Sequence, residues 1–200
     1  MQEKDRFLKR IINLSISLLF FAMVLFSKTI IAEEVKSKIE KYFTDLNFFS
    51  SKFIQSNDGI IEEGYIYFRE KKLRLDYFNP DRTLKISEKK GVYINHELKE
   101  EEFFSTEKTL IKMFYDIFVD YDFFSSLVFE KNKKEIIFEK EIFLDSKKTH
   151  FKIIFEESPL LLRKIIATTQ DGIVTISFNG HNYTNNFDKD FFSFVPIYLD

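Results

Sequence analysis

The sequence predicts a mainly β chain of the α+β class: one curled antiparallel sheet with a helix before it and a second helical segment over its concave side. Two observations predict this architecture. Most of the chain after residue 48 alternates apolar and polar residues between short turns, which is the pattern of half-buried strands. Two stretches, one before residue 47 and one between Thr106 and Phe129, repeat their apolar residues at helical spacing instead.

Two short helices can cover only one face of a large sheet. A sheet that curls around them is therefore the economical packing. The periodicity leaves two interiors open, one that side chains fill and one that encloses a cavity. The sequence shows no linker, low-complexity tract or internal repeat, so the chain after its N-terminal segment is predicted to form a single domain.

Local patterns place the individual elements. The first helix is predicted from apolar residues three and four positions apart: Val35, Ile39, Tyr42, Phe43 and Leu46. The second is predicted in the same way from Leu110, Ile111, Phe114, Ile117, Phe118 and Tyr121. Strands are predicted at residues 49–55, 64–69, 73–77, 84–87, 92–95, 135–139, 142–144, 151–155, 162–169, 174–178 and 191–194. Turn residues separate several of them, at positions 57–59, 79–81 and 171–172.

The first 32 residues are predicted to be a signal peptide that is cleaved near Ala32. A basic head precedes an almost wholly apolar run over residues 11–26, and a small residue stands at the proposed cut. The alternative is an uncleaved anchor in the inner membrane. Lys28 interrupts the apolar run early, whereas a bilayer span needs about 20 apolar residues. Cleavage would leave residues 33–200 as the mature domain, with a periplasmic location.

The composition argues against several classes of function. Residues 33–200 hold 25 basic and 30 acidic residues, a net charge of −5. A mildly acidic domain without a basic cluster argues against nucleic acid as a partner and against anionic lipid head groups. The chain has no cysteine, so its stability is expected to come from its core rather than from disulfides. Because bacterial lipoproteins are acylated on an N-terminal cysteine, the chain is not expected to be a lipoprotein itself.

No pattern of catalytic residues is found, and neither enzymatic activity nor a metal or other cofactor is expected. His96, His150 and His181 each stand alone, without the spacing of metal ligands. Five scattered glycines do not make a phosphate-binding loop, and no serine lies in a nucleophile-elbow pattern. The neighbouring Arg74 and Asp76 are interpreted as an ion pair rather than as an acid–base dyad.

A series of short motifs runs in order along residues 33–200. The first three are phenylalanine-x-glutamine at residues 53–55, a glycine that opens an aromatic strand at residues 64–69, and arginine-x-x-tyrosine-x-x-proline at residues 74–80. Further matches follow at residues 90–94, 171–176 and 185–194. In this order the motifs resemble those of the outer-membrane lipoprotein carrier family, LolA.

The resemblance implies both a fold and a function. The fold would be an unclosed antiparallel β-barrel, or curled half-barrel, whose mouth is covered by a helical lid. The function would be that of a monomeric periplasmic chaperone for acylated lipoproteins. It would receive this cargo from an inner-membrane ABC-type release complex and deliver it to an outer-membrane lipoprotein receptor.

The resemblance also implies the residues of the site. The cavity for acyl chains would be lined by inward-facing residues of the first three strands: Phe49, Phe53, Ile66, Phe68, Leu73, Leu75 and Tyr77. The underside of the lid would be formed by Leu110, Phe114 and Ile117. In the family an arginine after the aromatic strand latches the lid by hydrogen bonds, which places Arg69 in this role. Because Glu70 follows it where the family has proline, Arg74 is a second candidate.

Other functions remain open at this point. A general periplasmic carrier of lipid or glycolipid, or a sensor domain of the same fold, would show the same pattern of strands and helices. A β domain with a completely filled core is a further alternative, since the chain contains 26 phenylalanines. A measurement of ligand binding would separate these functions.

Overall fold

The computed structural model describes residues 33–107, 109–124, 128–132, 134–144, 147–184 and 187–198. The described residues divide into two units at residue 39. The described part of the first unit, residues 33–39, is helical. Within these described ranges, no helix combines the length and the apolar character that a bilayer span requires. The predicted signal peptide lies outside the described residues.

Eleven strands and two α-helices make up the described structure. The strands are β1 (Phe48–Asn57), β2 (Ile60–Arg69), β3 (Lys72–Tyr77), β4 (Arg82–Ile86), β5 (Lys90–Asn95), β6 (Glu100–Ser105), β7 (Val128–Lys131), β8 (Glu135–Leu144), β9 (Lys147–Glu157), β10 (Leu160–Thr168) and β11 (Ile173–Asn182). Helix α1 covers residues 33–44, and helix α2 covers Leu110–Val119. Short 3₁₀ helices lie at Tyr121–Phe124 and Lys189–Phe192.

All eleven strands belong to one antiparallel sheet in the order β6-β5-β4-β3-β2-β1-β11-β10-β9-β8-β7. The chain therefore builds two meanders, a first wing of β1–β6 and a second wing of β7–β11. The pairing of β1 with β11, in which Phe53 lies opposite Phe178, joins the two wings. In the described part of the chain β6 and β7 stand at opposite edges, so the sheet is not closed into a barrel.

Short turns set the register of the first wing. The loop between β1 and β2 is Asp58-Gly59, and both residues have positive φ, at 47° and 89°. Positive φ at both positions is the geometry whose twist matches that of the flanking strands.

Gly64 has a different role, since a Cβ there would lie 2.0 Å from the carbonyl oxygen of Asp76 and 2.8 Å from the Phe53 ring. The glycine that opens the aromatic strand thus allows the Phe53 ring and strand β3 to approach β2.

Helix α2 and the 3₁₀ turn after it lie against both wings, and their phenylalanine rings connect them. The Phe118 ring contacts Phe49 of β1 at 6.1 Å and Phe68 of β2 at 5.9 Å between centroids. The Phe124 ring contacts Phe138 of β8 at 5.2 Å and Phe155 of β9 at 6.0 Å. Edge-to-face and offset aromatic pairs at such distances add to the free energy gained by burying the rings.

The Phe43 ring of α1 completes this cluster. It lies 6.0 Å from Phe118, 5.3 Å from Phe124 and 6.0 Å from Phe155. Rings from two helices and from both wings therefore share one core. We refer to Phe43, Phe49, Phe68, Phe118, Phe124, Phe138 and Phe155 as the aromatic cluster; all seven are buried.

The sheet is curled. Strands β4 and β9 are separated by six strand spacings in the sheet, which corresponds to about 29 Å in a flat sheet. Nevertheless Leu84 and Ile86 of β4 line the same cavity as Phe151 of β9. This convergence requires the two wings to bend towards each other around α2, as the sequence predicted.

The predicted elements are mostly confirmed, with three kinds of difference. Residues 135–139 and 142–144, predicted as two strands, form the single strand β8, because its pairing with β9 continues through Lys140 and Glu141. Residues 191–194, predicted as a strand, instead form the end of a 3₁₀ helix and an extended segment, because they lie across the sheet rather than along its edge. Strands β6 and β7 were not predicted. Both are edge strands that pair on one side only, and β6 begins with three glutamates, so neither carries a clear apolar face.

We expect Phe118→Ala to lower the free energy of unfolding by about 3–5 kcal/mol, because it removes a fully buried ring that contacts both the sheet and α1. Urea unfolding followed by circular dichroism measures this change. Phe143→Ala is the matched control, since the Phe143 side chain is 74% exposed. A loss below about 1 kcal/mol for Phe118→Ala would show that the aromatic cluster does not hold the wings together.

Candidate functional site

A cavity of about 250 Å³ lies between helix α2 and the concave face of the sheet. Its wall combines residues of α2 with residues of both wings: Gln55, Leu75, Tyr77, Leu84, Ile86, Leu110, Ile111, Phe114, Phe151, Ile165, Ala167, Val174 and Ile176. Eleven of these thirteen side chains are purely apolar. Six of the wall residues are only half-buried, so the cavity is open to solvent: Gln55, Leu84, Leu110, Ile111, Val174 and Ile176.

The predicted site residues separate into two groups. Leu75 and Tyr77 on β3, and Leu110 and Phe114 on α2, line the cavity. The others lie in the packed core beside it, each at most 5% exposed: Phe49, Phe53, Ile66, Phe68, Leu73 and Ile117. All ten face the concave side, but those near the aromatic cluster are covered by its rings. The filled and the empty part of the interior thus lie side by side under one helix.

Sequence reasoning missed the contribution of the second wing and of β4. The cavity residues of these strands are Leu84, Ile86, Phe151, Ile165, Ala167, Val174 and Ile176. The alternation of each strand marks them as inward-facing, and this signal was present in the sequence. What it does not give is the pairing of β1 with β11, which brings the second wing opposite the first.

Helix α2 is fastened at two places to turns of the first wing. At its start, Thr109 Oγ1 accepts a hydrogen bond from the Lys112 amide at 3.1 Å and caps the helix. The buried Thr106 just before it donates from Oγ1 to the carbonyl oxygen of Glu88 at 3.0 Å. Further along, Tyr115 Oη donates to the carbonyl oxygen of Lys71 at 2.8 Å. Burial raises the pKa of Tyr115 to about 12, so this hydroxyl remains a donor at neutral pH.

Arg69 and Arg74, predicted as alternative lid latches, have other partners. Both lie on the outer face of the sheet, because the side chains of each strand alternate and the inward positions next to them belong to Phe68 and Leu73. Arg69 Nη1 donates to the carbonyl oxygen of Phe187 at 2.9 Å. Arg74 Nη1 donates to the carbonyl oxygen of Phe191 at 2.9 Å. The two arginines therefore hold the C-terminal segment, and the contact of α2 with the neighbouring turn comes from Tyr115.

This C-terminal segment, residues 187–198, crosses the outer face of the first wing, and we call it the strap. One side chain on each of five consecutive strands holds it. Besides the two arginines, the buried Lys85 donates from Nζ to the carbonyl oxygen of Ser193 at 2.7 Å, and Lys90 lies 4.8 Å from the centre of the Phe194 ring. Glu101 of β6 accepts a hydrogen bond from the Tyr198 amide at 3.0 Å.

Burial lowers the pKa of Lys85, because the charged ammonium loses hydration there.

The outer face also carries a chain of side-chain hydrogen bonds that ends on the strap. Arg74 Nε donates to Asp76 at 2.8 Å, as the predicted ion pair requires. Thr83 Oγ1 donates to Asp76 at 2.7 Å and lies 3.0 Å from His96 Nε2. His96 Nδ1 in turn lies 2.9 Å from Tyr198 Oη. His96 is thus part of a structural network.

The other two histidines also have local partners. His181 Nε2 lies 2.8 Å from the carbonyl oxygen of Leu162, and burial lowers the pKa of the His181 imidazole. His150 Nε2 lies 3.7 Å from a carboxylate oxygen of Glu139. Over the ranges that the structure describes, no three potential metal-ligating side chains come together.

Comparisons with known proteins give only weak similarities. No protein-family model matches the sequence, and no curated protein matches it either. Among solved structures, an uncharacterized conserved protein from Thermus thermophilus is 11% identical, with a TM-score of 0.49 over 80% of this chain and 95% of that chain. A DUF1329 family protein from Desulfovibrio piger is 6% identical, with a TM-score of 0.47 over 80% and 97%. MucB, solved in complex with MucA(peri), is 11% identical, with a TM-score of 0.44 over 80% and 58%. At TM-scores below 0.5, these similarities assign neither a family nor a function.

We expect Tyr115→Phe to loosen helix α2, the candidate lid of the cavity, without unfolding the protein, because it removes only the hydroxyl that donates to Lys71. One such hydrogen bond contributes about 0.5–1.5 kcal/mol. Amide hydrogen exchange of residues 110–119 should accelerate about two- to tenfold. Tyr65→Phe is the control, since the Tyr65 side chain is 43% exposed on the outer face. Unchanged exchange in α2 would contradict a fastening role for Tyr115.

We expect Arg69→Leu to release the strap and to leave the lid unaffected, because Arg69 donates to Phe187. Hydrogen exchange in residues 187–198 should accelerate about threefold or more, while residues 110–119 keep their rate. Arg163→Leu is the matched control, since Arg163 forms a partly exposed ion pair on the second wing. Faster exchange in α2 with an unchanged strap would instead restore Arg69 as a latch of the lid.

Proposed function

We propose that the chain is a carrier that shelters acyl chains in the cavity between helix α2 and the concave face of the sheet. The observation that carries the proposal is the cavity itself, which is lined by eight apolar side chains of the sheet and three of the amphipathic helix α2. Ligand sites are typically concave and mostly apolar, with a few polar groups that orient the ligand. The proposed activity requires no catalytic group.

The energetics suit a carrier that exchanges its cargo by contact. Burying an acyl chain contributes about 0.8 kcal/mol per methylene, so a long chain does not leave such a cavity for water at a useful rate. A second apolar site can accept it directly, and the direction of transfer then follows the difference in affinity. A lid held by a few hydrogen bonds, such as that of Tyr115, opens at low cost when a partner binds.

The size of the cavity limits what it holds in this conformation. Its 250 Å³ lies just below the roughly 300–1,000 Å³ of sites for drug-sized ligands. The closed cavity therefore accommodates part of one acyl chain. A triacylated cargo would require the N-terminal half of α2 to move outward, which would break the hydrogen bond from Thr106 to the Glu88 carbonyl oxygen. Leu110 and Ile111 in this half are only half-buried. The C-terminal half is anchored by Phe118 in the aromatic cluster.

We further propose that the cargo is the acyl portion of lipoproteins. The support for this step is the order of the sequence motifs, which resembles that of the outer-membrane lipoprotein carrier family. On this proposal the protein works in the periplasm, receives lipoproteins from an inner-membrane ABC-type release complex and delivers them to an outer-membrane receptor. A leader peptide at residues 1–32 would direct the export.

The small cavity favours a second candidate function. A carrier or sensor domain for a lipid or glycolipid with a single chain would need no large movement of α2, since part of one chain already fits. The ligand separates the two functions. A lipoprotein carrier must accommodate several chains and the peptide next to them.

We expect Ile176→Glu to weaken binding of a hydrophobic fluorescent probe at least tenfold, because Ile176 lines the cavity and a carboxylate there would have to be desolvated. Ile173→Glu is the matched control. Ile173 lies on the same strand and is 53% exposed, and it is not part of the cavity wall. Fluorescence titration of the purified protein measures both affinities. Equal affinities of the two folded variants would show that the probe binds elsewhere.

Displacement of the same probe identifies the cargo. We expect a triacylated lipopeptide to compete at least tenfold better than the methyl ester of a single fatty acid, and the peptide without acyl chains not to compete. Equal competition by the lipopeptide and the single-chain ester would favour the carrier or sensor of single-chain lipids. Failure of the wild-type protein to bind the probe would contradict both functions.

A further inference from the structure

Two polar side chains interrupt the apolar wall of the cavity, and they lie together. Gln55 is on β1 and Tyr77 on β3, and both line the cavity. Tyr77 Oη donates a hydrogen bond to Gln55 Oε1 at 3.2 Å. Tyr77 is buried and Gln55 is half-buried. Polar groups in an apolar wall are costly unless they are paired, so the presence of both at one place calls for a physical reason.

A ring of four side chains fixes the orientation of the Gln55 amide. Gln55 Nε2 donates to Glu62 Oε2 at 3.3 Å, and the two residues face each other across β1 and β2. Glu62 forms an ion pair with Arg82 of β4. The Arg82 guanidinium lies 4.4 Å from the centre of the Tyr77 ring, and Tyr77 returns to Gln55. The oxygen of the amide therefore points to Tyr77 and its nitrogen to Glu62.

This arrangement leaves one donor and one acceptor for a ligand. A glutamine amide carries two N–H groups, and Glu62 accepts from only one of them. The Tyr77 hydroxyl donates to Gln55, and its oxygen can still accept. Burial raises the pKa of Tyr77 to about 12, so the hydroxyl is neutral at physiological pH. The cavity thus offers one amide N–H donor beside a neutral hydroxyl.

The charges around this point disfavour an anionic ligand. The Glu62 carboxylate is adjacent to the free N–H, and the charge of Arg82 is engaged by that carboxylate. Arg82 Nε–H has no hydrogen-bond partner among the described residues, but Arg82 is not part of the cavity wall. A carboxylate ligand would need several donors or an available cation. A neutral carbonyl oxygen needs a single donor.

We infer that Gln55 and Tyr77 form a subsite for the neutral carbonyl group of an esterified or amide-linked acyl chain. The inference rests on the proposed function and specifies its ligand. The hydrocarbon occupies the apolar part of the cavity, and the Gln55 N–H donates to the carbonyl oxygen. The free fatty acid anion is the disfavoured ligand, so the cavity distinguishes attached from unattached acyl chains.

The test compares three ligands of equal chain length, methyl laurate, laurate and dodecane, as competitors of the hydrophobic probe. In the wild-type protein we expect the ester to bind about two- to tenfold more tightly than the alkane, because it gains one hydrogen bond. The anion should bind at least tenfold more weakly than the ester at neutral pH. Gln55→Met keeps the length of the side chain and removes its N–H groups. Combined with Tyr77→Phe, so that the Tyr77 hydroxyl does not donate in place of the amide, it should reduce the affinity for the ester to that for the alkane or below, and leave the alkane unaffected.

Gln170→Met is the matched control, because Gln170 lies exposed in the turn between β10 and β11. Infrared spectroscopy of the bound ester in the wild-type protein supplies a readout that requires no variant. Its carbonyl stretch should lie below that of the ester in hexane. Tyr77→Phe is a second variant; it removes the hydroxyl that orients the amide and should weaken ester binding in the same direction.

The outcomes separate this inference from the proposed function. If the alkane and the ester displace the probe equally well, or the anion binds as tightly as the ester, the subsite is wrong and the acyl cavity stands. If Gln55→Met weakens the alkane and the ester alike, the variant acts on packing and the subsite is again wrong. If none of the three ligands displaces the probe, both the subsite and the proposed function fail.

Discussion

The packing of phenylalanine rings between helix α2, the 3₁₀ turn after it and the two wings is the interaction on which the rest of the structure depends. An open eleven-stranded sheet has no closing hydrogen bonds in its described part, so nothing in the ladder itself determines how far it curls. Phe118 contacts the first wing and Phe124 the second, and Phe43 contacts both rings. Burial of these rings pulls the wings together and so gives the sheet a concave side.

The cavity exists because the same helix changes its side chains along its length. Its C-terminal half carries Phe118, which fills the space between the wings. Its first turn carries Leu110 and Ile111, which are smaller than phenylalanine and only half-buried, and Phe114 of the next turn lines the cavity without filling it. The C-terminal half of α2 therefore fixes the helix to the core, and its first turn covers the cavity. This division explains how a protein can keep a firm core and still hold an apolar space that a ligand can enter.

The two faces of the first wing have separate tasks. Inward residues of β1–β4 form part of the core and part of the cavity wall, including its polar pair, Gln55 and Tyr77. Outward residues of β2–β6 hold the strap through their cations and Glu101. The carbonyl oxygens of an extended segment attract cations, and the Phe191 ring lies 4.0 Å from the Arg74 guanidinium. An arginine that the resemblance of sequence motifs places at the lid can thus serve the opposite face, because one residue along a strand reverses the direction of its side chain.

The sequence by itself determined the class of the fold, the two helices, most strands and the inward direction of the predicted cavity residues, but not the role of Arg69 and Arg74, which face outward. These properties depend on the period of apolar residues and on turn chemistry, both of which are local. Only the tertiary structure decided that Leu75 and Tyr77 line the cavity while Phe49 and Phe68 lie in the core. It also decided that the second wing completes the wall, and that the C-terminal segment forms a strap. These outcomes depend on which side chains come into contact although they are distant in the sequence. The pairing of β1 with β11, which are more than a hundred residues apart, determines these contacts.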